Sequence, residues 1–430
     1  MSELLLANAP SAAAWRLAYS GGVDSTVLLH LAAKAGMPGL QAVHVHHGLQ
    51  SNADAWAQHC AATCQQWRVP LHVERVSIDP NDAAGPEAAA RAARYAALHR
   101  HLPDGGVLMT AHHRDDQAET VLLRLLRGTG VGGLAAMRPL LPWGAGQLWR
   151  PLLRYSRAEL LAYAQEQGLR WIEDGHNTQP RYARSYLRAE VMPALHQRWP
   201  DLAAQLSKAA ELSDEASGLL EQLAAQDLAG VGASASDPFL SIAALARLDP
   251  ARRNNLLRYW LQQRSLPLPH RDTLQLIGSE VMAAGVDAEP RLAWPGGEFR
   301  RYRDHLYALA CLPPEPLDWS SDWDGLSILV LPAGCGVLSG EGDTPDTCTV
   351  RFGHGGEALK PVGSPHTRRL KQLFQQAGIP PWQRRRMPMI FFGGELIAVA
   401  DLWRSVSAPQ AWRLHWSAPE GFVRPHLPSP

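Results

Sequence analysis

The sequence predicts an α/β protein: a doubly wound parallel sheet at the N-terminus, then a helical domain, then a small α+β domain. Three observations carry this prediction. Apolar runs alternate with helical stretches four times over residues 15–128, at the spacing of βαβ crossovers. The runs are short and nearly continuous, as expected of strands buried on both faces. Segments rich in Gly, His, Ser and Asp follow three of the four runs, and in open parallel sheets ligands gather at the carboxyl ends of the strands.

The elements follow in order. WRLAYS (15–20) is the first strand, and residues 24–35 have helical periodicity. LQAVHVHH (40–47) is the second strand, followed by an amphipathic helix over 52–67 with Asn52 as its cap. PLHVERVSI (70–78) is the third. The helix over 86–102 has Pro86 in its first turn. GVLMTAH (106–112) is the fourth strand, and 117–128 a helix capped by Asp116 and stopped by Gly128. From 150 to 199 the chain turns helical. Residues 200–230 read as one long helix or a broken pair, and GVGASASDP (230–238) as a linker. Two or three helices follow over 240–285, then a small hairpin over 290–312. LPPEPLDWSSDWDG (312–325) is another break, after which short strands surround one helix near 366–377. Domains are therefore expected at 1–205, 206–313 and 314–430.

Bulk properties exclude several classes. No run of about 18 apolar residues occurs, so no membrane-spanning helix is expected. MSELLLANAPSAAAW lacks the basic start and long apolar core of a secretory signal, and the chain is expected in the cytoplasm. Five cysteines with no CxxC pair suggest neither a disulfide framework nor a zinc site; Cys60 and Cys64 read as buried thiols. The net charge of zero hides an asymmetry, because residues 345–430 carry eleven Lys+Arg against five Asp+Glu. WQRRRMP (382–388) sets Arg384, Arg385 and Arg386 beside an aromatic ring there. A basic end on an otherwise acidic chain points to a polyanionic partner. Lys34, Lys208, Lys360 and Lys371 are the only lysines, so the basic residues are chiefly arginines, whose planar fork suits phosphate.

The chemistry concentrates in two segments. SGGVDST (20–26) leads from a strand into a helix, so backbone N–H groups gather at a helix N-terminus, a good anion site. Gly21 and Gly22 allow close approach, Val23 opens the helix, and Ser20, Ser25 and Thr26 can donate to phosphate oxygens. The lysine of the familiar nucleotide loop is missing. Asp24 stands there instead, and a carboxylate reaches phosphate through Mg²⁺. Such a loop suits release of a whole pyrophosphate better than transfer of a terminal phosphoryl group. TAHHRDDQAETVLLRLLRGTG (110–130) adds His112, His113, Asp115, Asp116 and Glu119 at the end of the fourth strand. These carboxylates have two uses open to them, holding metal or holding an ammonium group; Arg124 and Arg127 can offset their charge. His44, His46 and His47 end the second strand and read as structural or phosphate-side histidines.

SGGVDS resembles the signature of the PP-loop ATP pyrophosphatases, whose fold is of the adenine-nucleotide α-hydrolase type. With HVHHGLQ (44–50), EAAARAARYAAL (87–98), the 110–130 segment, RPLL (150–153), the WIED to YARSYLRAEVMPAL block (171–195) and LKQLFQQAGIPPWQRRRMPMIFFGGELIAVADLW (370–403), the chain resembles the tRNA(Ile)-lysidine synthetases over nearly its whole length. The resemblance implies a ligase that adenylates C2 of the wobble cytidine in the isoleucine tRNA with anticodon CAU, then lets free L-lysine displace AMP. It implies ATP and Mg²⁺ as cofactors, nucleotide contacts from Ser20 to Ser25, and metal at Asp24 and Asp115. It implies catalytic roles for Asp24, His112, Asp115, Asp116 and Glu119, and tRNA contacts for Arg184, Arg188, Arg384, Arg385 and Arg386. The oligomeric state stays open, a homodimer being one option. The chain departs from the family pattern at Gln50, at Gly175 and His176 after Asp174, and at Ser185. A related enzyme that inserts sulfur at C2 would need a cysteine pair, which is absent. An amidotransferase would need a nucleophilic cysteine in a domain of its own. A tRNA-binding protein with a dead ATP site would not keep the loop and carboxylates intact.

Overall fold

Val107, Leu108 and Met109 are fully buried, and so is Leu17 on the neighbouring strand; side chains buried on both faces put these strands in the middle of a sheet. The computed structural model describes all residues except 1–4, 6, 47, 49–51, 78–84, 174–182, 286–287, 345–346, 354, 420 and 425–430. It divides into two compact units, Met1–Leu219 and Leu220–Pro430.

In the first unit, strands β1 (Trp15–Ala18), β2 (Leu40–His46), β3 (Leu71–Arg75), β4 (Val107–Met109), β5 (Leu140–Trp143) and β6 (Gly146–Trp149) form one sheet in the order β3-β2-β1-β4-β6-β5. All neighbours are parallel except β5 and β6, an antiparallel hairpin whose β6 lies parallel to β4. The register aligns Leu17 with Ala42 on one side and Met109 on the other. Strand order reverses between β1 and β4, which opens a crevice at their carboxyl ends. The helices are α1 (Val23–Lys34), α2 (Ala53–Gln66), α3 (Pro86–Arg100), α4 (Arg114–Leu126), α5 (Val131–Leu134) and α6 (Arg157–Glu166). Then α7 (Ala183–Tyr186) runs through a π turn (Leu187–Val191) into α8 (Met192–Arg198), and α9 (Leu202–Gly230) is a single 29-residue helix in which the boundary between units falls.

The hairpin over 140–149 extends the sheet beyond the four expected strands. Asn52 stands at the N-cap of α2 with no side-chain capping bond. Helix α4 begins at Arg114, three residues before the expected start, so His113 rather than Asp116 is its cap.

The second unit holds a four-stranded antiparallel sheet of β7 (Phe239–Ser241), β8 (Arg291–Trp294), β9 (Gly297–Tyr302) and β10 (His305–Leu309), in the order β7-β10-β9-β8. Where the sequence suggested one hairpin, three consecutive strands run as a meander. They share a core with α10 (Ile242–Leu245), α11 (Pro250–Gln263) and α12 (Arg271–Leu276), built around Trp260 and Phe299. Beyond residue 319, β11 (Ser320–Trp323), β12 (Leu329–Val330), β13 (Val337–Glu341), β14 (Cys348–Arg351), β15 (Ala358–Leu359), β16 (Arg368–Arg369), β17 (Met389–Phe392), β18 (Glu395–Val399), β19 (Trp403–Arg404) and β20 (Arg413–Ser417) form three small sheets. Helices α13 (Leu370–Gln376) and α14 (Pro381–Arg384) accompany them. No helix among the described residues is long and apolar enough to cross a membrane.

Candidate active site

The site begins where β1 gives way to α1. Gly21 has φ +86°, a left-handed value, and a Cβ there would lie 2.7 Å from Ile172 Cδ1 and 2.9 Å from Cys60 Sγ. Only glycine fits this turn without displacing its neighbours. Gly22 is the N-cap of α1 and offers no side chain, so the first-turn amides have no side-chain cap. Ser20 Oγ and Ser25 Oγ lie 3.0 Å apart, and Ser25 also donates to the Gly22 carbonyl at 3.0 Å. The loop thus holds its hydroxyls at an electropositive helix end.

A cleft of roughly 1170 Å³ opens over this loop. Ser20, Gly22, Val23, Asp24, Ser25, His44, His112, His113, Asp116, Arg157, Ser185 and Arg188 are among the residues that line it. Helix α4 supplies the carboxylates. His113 caps it through a reciprocal box: Nδ1 accepts from the Asp116 amide at 3.4 Å, and the His113 amide donates to Asp116 Oδ2 at 3.1 Å. The same imidazole stands amid three carboxylates. Its Nε2 is 3.3 Å from Asp116 Oδ2 and 3.7 Å from Asp24 Oδ2, and its Nδ1 is 3.5 Å from Asp115 Oδ2. Burial disfavours its charged form, but Asp115, Asp116 and Asp24 outweigh burial and raise its pKa above the ordinary value.

The carboxylates differ in circumstance. Burial pushes Asp24 upward, with His113 only partly offsetting it, and its Oδ1 is buried without a hydrogen-bond partner. Asp115 is opposed by burial yet held at about 2 by His113 and by the Arg157 amide, which donates to Oδ2 at 2.8 Å. Asp116, also opposed by burial, is lowered by His113 and Arg184. Glu119 is 3 % exposed and is gripped by two arginines. Arg184 Nε donates to it at 2.8 Å, and Arg188 Nε and Nη2 at 2.6 and 2.8 Å. Both arginines also reach Asp116 Oδ1 at 3.1 Å. Thus Arg184 and Arg188, expected at the tRNA, here close an ion-pair network with the two α4 carboxylates. Arg188 lies within the π turn that follows α7, and Arg184 lies on α7 itself.

Burial drives His112 down to about 3, helped by the positive charge of Arg150 and Arg94, so it is neutral. Thr110 Oγ1 lies 2.9 Å from its Nδ1. His44 bonds the Tyr19 carbonyl through Nδ1 at 2.9 Å, so that nitrogen carries the proton and Nε2 is the acceptor. Arg124, expected to offset charge, donates to the carbonyls of Gly133 at 2.7 Å and Ala136 at 3.0 Å instead. Cys60 and Cys64 are buried, with thiols pushed up to about 12 by burial. Sequence reasoning missed Arg94 and Arg157 as cleft residues, although Arg94 lies inside the quoted 87–98 segment. His47, Gln50, Asp174, Gly175 and His176 fall outside the described residues.

The arginine triplet of the second unit is not a solvated patch. Arg386 is 6 % exposed and donates to the carbonyls of Trp382 and Pro313. Arg384 donates to Ile379 O at 2.7 Å and Tyr302 Oη at 3.1 Å, and Trp382 is buried. Only Arg385 is exposed, and it pairs with Glu315 at 3.1 Å. These side chains hold loops together, which composition could not reveal.

Comparison with known proteins agrees with this site. A PP-loop domain profile matches residues 2–195, a TilS substrate binding domain 240–307 and a TilS substrate C-terminal domain 348–416. The chain is 44 % identical over 408 residues to a tRNA(Ile)-lysidine synthase of Xanthomonas campestris pv. campestris, covering 93 % of each chain. It is 43 % identical over 423 residues to that of Methylococcus capsulatus, covering 94 % of this chain and 96 % of the relative. It is 46 % identical over 399 residues to that of Xylella fastidiosa, covering 90 % of each. With a phosphate loop, a carboxylate-lined cleft and relatives matched nearly end to end, the chain belongs to the tRNA(Ile)-lysidine synthase family, ligases built on a PP-loop ATP pyrophosphatase domain.

Proposed function

We propose that the protein joins free L-lysine to C2 of the wobble cytidine in the isoleucine tRNA with anticodon CAU, converting ATP to AMP and pyrophosphate. The observation that carries this reading is the single cleft in which an uncapped helix N-terminus, behind a glycine loop, faces Asp24, His113 and Asp116. In the first step the cytosine C2 oxygen attacks the α-phosphorus, the bond to the β-phosphate oxygen breaks, and pyrophosphate leaves. The α1 amides, Ser20 and Ser25 receive the departing charge. A divalent cation, when bound, neutralises part of that charge. Asp24 fits such an ion, because its buried, unpartnered oxygen lacks any compensating proton donor. Asp115 has one oxygen on the Arg157 amide and offers the other.

In the second step the neutral lysine amine attacks C2, the C2–O bond breaks and AMP leaves. The amine must first lose a proton. His113 suits that exchange, since its neighbours hold its pKa above the usual histidine range, whereas neutral His112 serves as a hydrogen-bonding group. Asp116 and Glu119 hold the substrate ammonium once Arg184 and Arg188 let go, and the freed arginines turn to tRNA phosphate. The product pairs with A rather than G, so one modification changes both the codon read and the amino acid charged. The matches to substrate-domain profiles support assigning 206–313 and 314–430 to holding the tRNA, and the proposed site of the reaction is the cytoplasm. The test is incorporation of labelled lysine into this tRNA with ATP and Mg²⁺ while AMP and pyrophosphate are followed. Equal amounts of all three are expected. AMP without incorporated lysine would mean a different nucleophile, and neither product would mean a protein that only binds tRNA.

A further inference from the structure

The eleven basic residues of 345–430 divide sharply once their partners are known. Arg384 and Arg386 serve carbonyls, Arg385 faces Glu315, Arg404 serves the carbonyls of Pro409, Gln410 and Trp412, and Arg424 pairs with Asp401 at 2.9 Å. Arg351 lies over the Phe391 ring, 4.0 Å from its centroid, and Arg413, exposed on β20, stands opposite Glu341 in the pairing with β13. Four others cluster on one small hairpin. Lys360 follows β15, Arg368 and Arg369 are β16, and Lys371 is the second residue of α13. All four are exposed, and among the described residues none sits in an ion pair. Arg368 donates only to a neutral group, Gln376 Oε1, at 3.0 Å.

The hairpin is also firmly built. Ala358 pairs with Arg369 and Leu359 with Arg368. Leu359 is 1 % exposed and Leu370 2 %, so each stretch of basic residues adjoins a side chain rooted in the core. The Val406 amide donates to the Lys360 carbonyl at 3.0 Å and fixes the hairpin base. Unpaired cations on an anchored backbone form an anion-binding face at small ordering cost. ALKPV and RRLKQ contain no aromatic residue, and the nearest exposed ring in sequence is the imidazole of His366, so cations rather than stacking surfaces dominate the face.

We propose that this face, Lys360, Arg368, Arg369 and Lys371, grips the phosphate backbone of the tRNA without reading its sequence. The inference rests on the tRNA reading above and deepens it. It replaces Arg384–Arg386 as the basic contact of the second unit. Phosphate contacts fix position and carry no sequence information. Removing the face therefore weakens cognate and non-cognate tRNA alike and leaves discrimination between them unchanged.

The experiment measures tRNA affinity against salt for the full chain and for the quadruple variant K360Q/R368Q/R369Q/K371Q. Each lost phosphate contact lowers the slope of log K against log salt by about 0.7–0.9, so the variant should be shallower by about 3. Near 0.1 M salt the loss is on the order of 10²–10³-fold. The variant's Kd ratio between isoleucine and methionine tRNAs should match that of the parent. Acetylation footprinting of the unaltered chain gives an independent reading, because it has four lysines, all exposed. The tRNA should protect Lys360 and Lys371, with Lys34 and Lys208 as internal references. An unchanged slope with Lys360 and Lys371 labelled equally with and without tRNA overturns the proposal, as does binding to anionic vesicles or acidic peptides that is lost in the variant while tRNA affinity is kept. A parent chain that fails to bind tRNA at all would instead overturn the tRNA reading itself.

Discussion

Replacing Gly21 with alanine tests the phosphate loop at its tightest point. Two costs are separable. The left-handed backbone at φ +86° disfavours any Cβ by roughly 1–2 kcal/mol. The contacts at 2.7 Å to Ile172 Cδ1 and 2.9 Å to Cys60 Sγ add overpacking of roughly 1–3 kcal/mol. Gly21→Ala should therefore destabilise the first unit by about 2–5 kcal/mol. Ile172→Ala in the same chain removes the nearer obstruction but not the backbone cost. The double variant should then be more stable than the sum of the singles predicts, by about 1 kcal/mol or more. Urea unfolding reads this out, the relevant transition being the one that ATP shifts to higher denaturant. The KM for ATP should rise in Gly21→Ala and partly recover in the double variant. Additivity within about 0.3–0.5 kcal/mol would refute the reasoning, because the Ile172 contact would then contribute nothing.

Three further outcomes follow from the same cleft. Asp24→Asn should abolish AMP and pyrophosphate formation while raising the unfolding midpoint, since burial penalises the Asp24 charge; a lowered midpoint would show the carboxylate to be structurally required. His113 has a folded pKa raised above the ordinary histidine value of 6.5, so its contribution to stability is full below pH 6.5 and fades as pH rises through the folded value. Asp115, lowered from 3.8 to about 2, works oppositely, its contribution being full above pH 3.8 and lost as pH falls toward 2; urea midpoints against pH for the parent, His113→Asn and Asp115→Asn should separate the two. Glu119→Gln should chiefly raise the lysine requirement and weaken the grip on Arg184 and Arg188, and a change in ATP affinity alone would count against an ammonium-binding role.

What the sequence revealed follows from the range over which each signal acts. The alternation of β1 to β4 with helices was legible because β1, β2 and β4 are largely apolar runs, while β3 (LHVER), on the sheet edge, alternates apolar and polar residues. The β5–β6 hairpin was not, since Pro142, Gly144 and Gly146 in ten residues read as loop, and its place beside β4 is a tertiary matter. The loop at Ser20–Ser25 and the carboxylates at Asp115, Asp116 and Glu119 were local signals and fall in or beside one cleft. The arginines that meet Glu119 come from 65 and 69 residues away, and no local pattern announces them. Arg384–Arg386 shows the converse limit. Three adjacent arginines have one composition whether they face solvent or backbone carbonyls, and only burial separates the cases.

The π turn at Leu187–Val191 sets the phase between α7 and α8. A π turn holds one residue more than an α turn, so it behaves as an insertion kept within a continuous helix. Deleting one residue there would rewind it to α geometry and rotate α7 by about 100° relative to α8. Arg184 would swing off helix α4 while the hydrophobic seat of α8 at Met192 stayed in place. The phase of Arg184 against α8 is thus a gear setting, one that a change in chain length alters and a change of side chain does not.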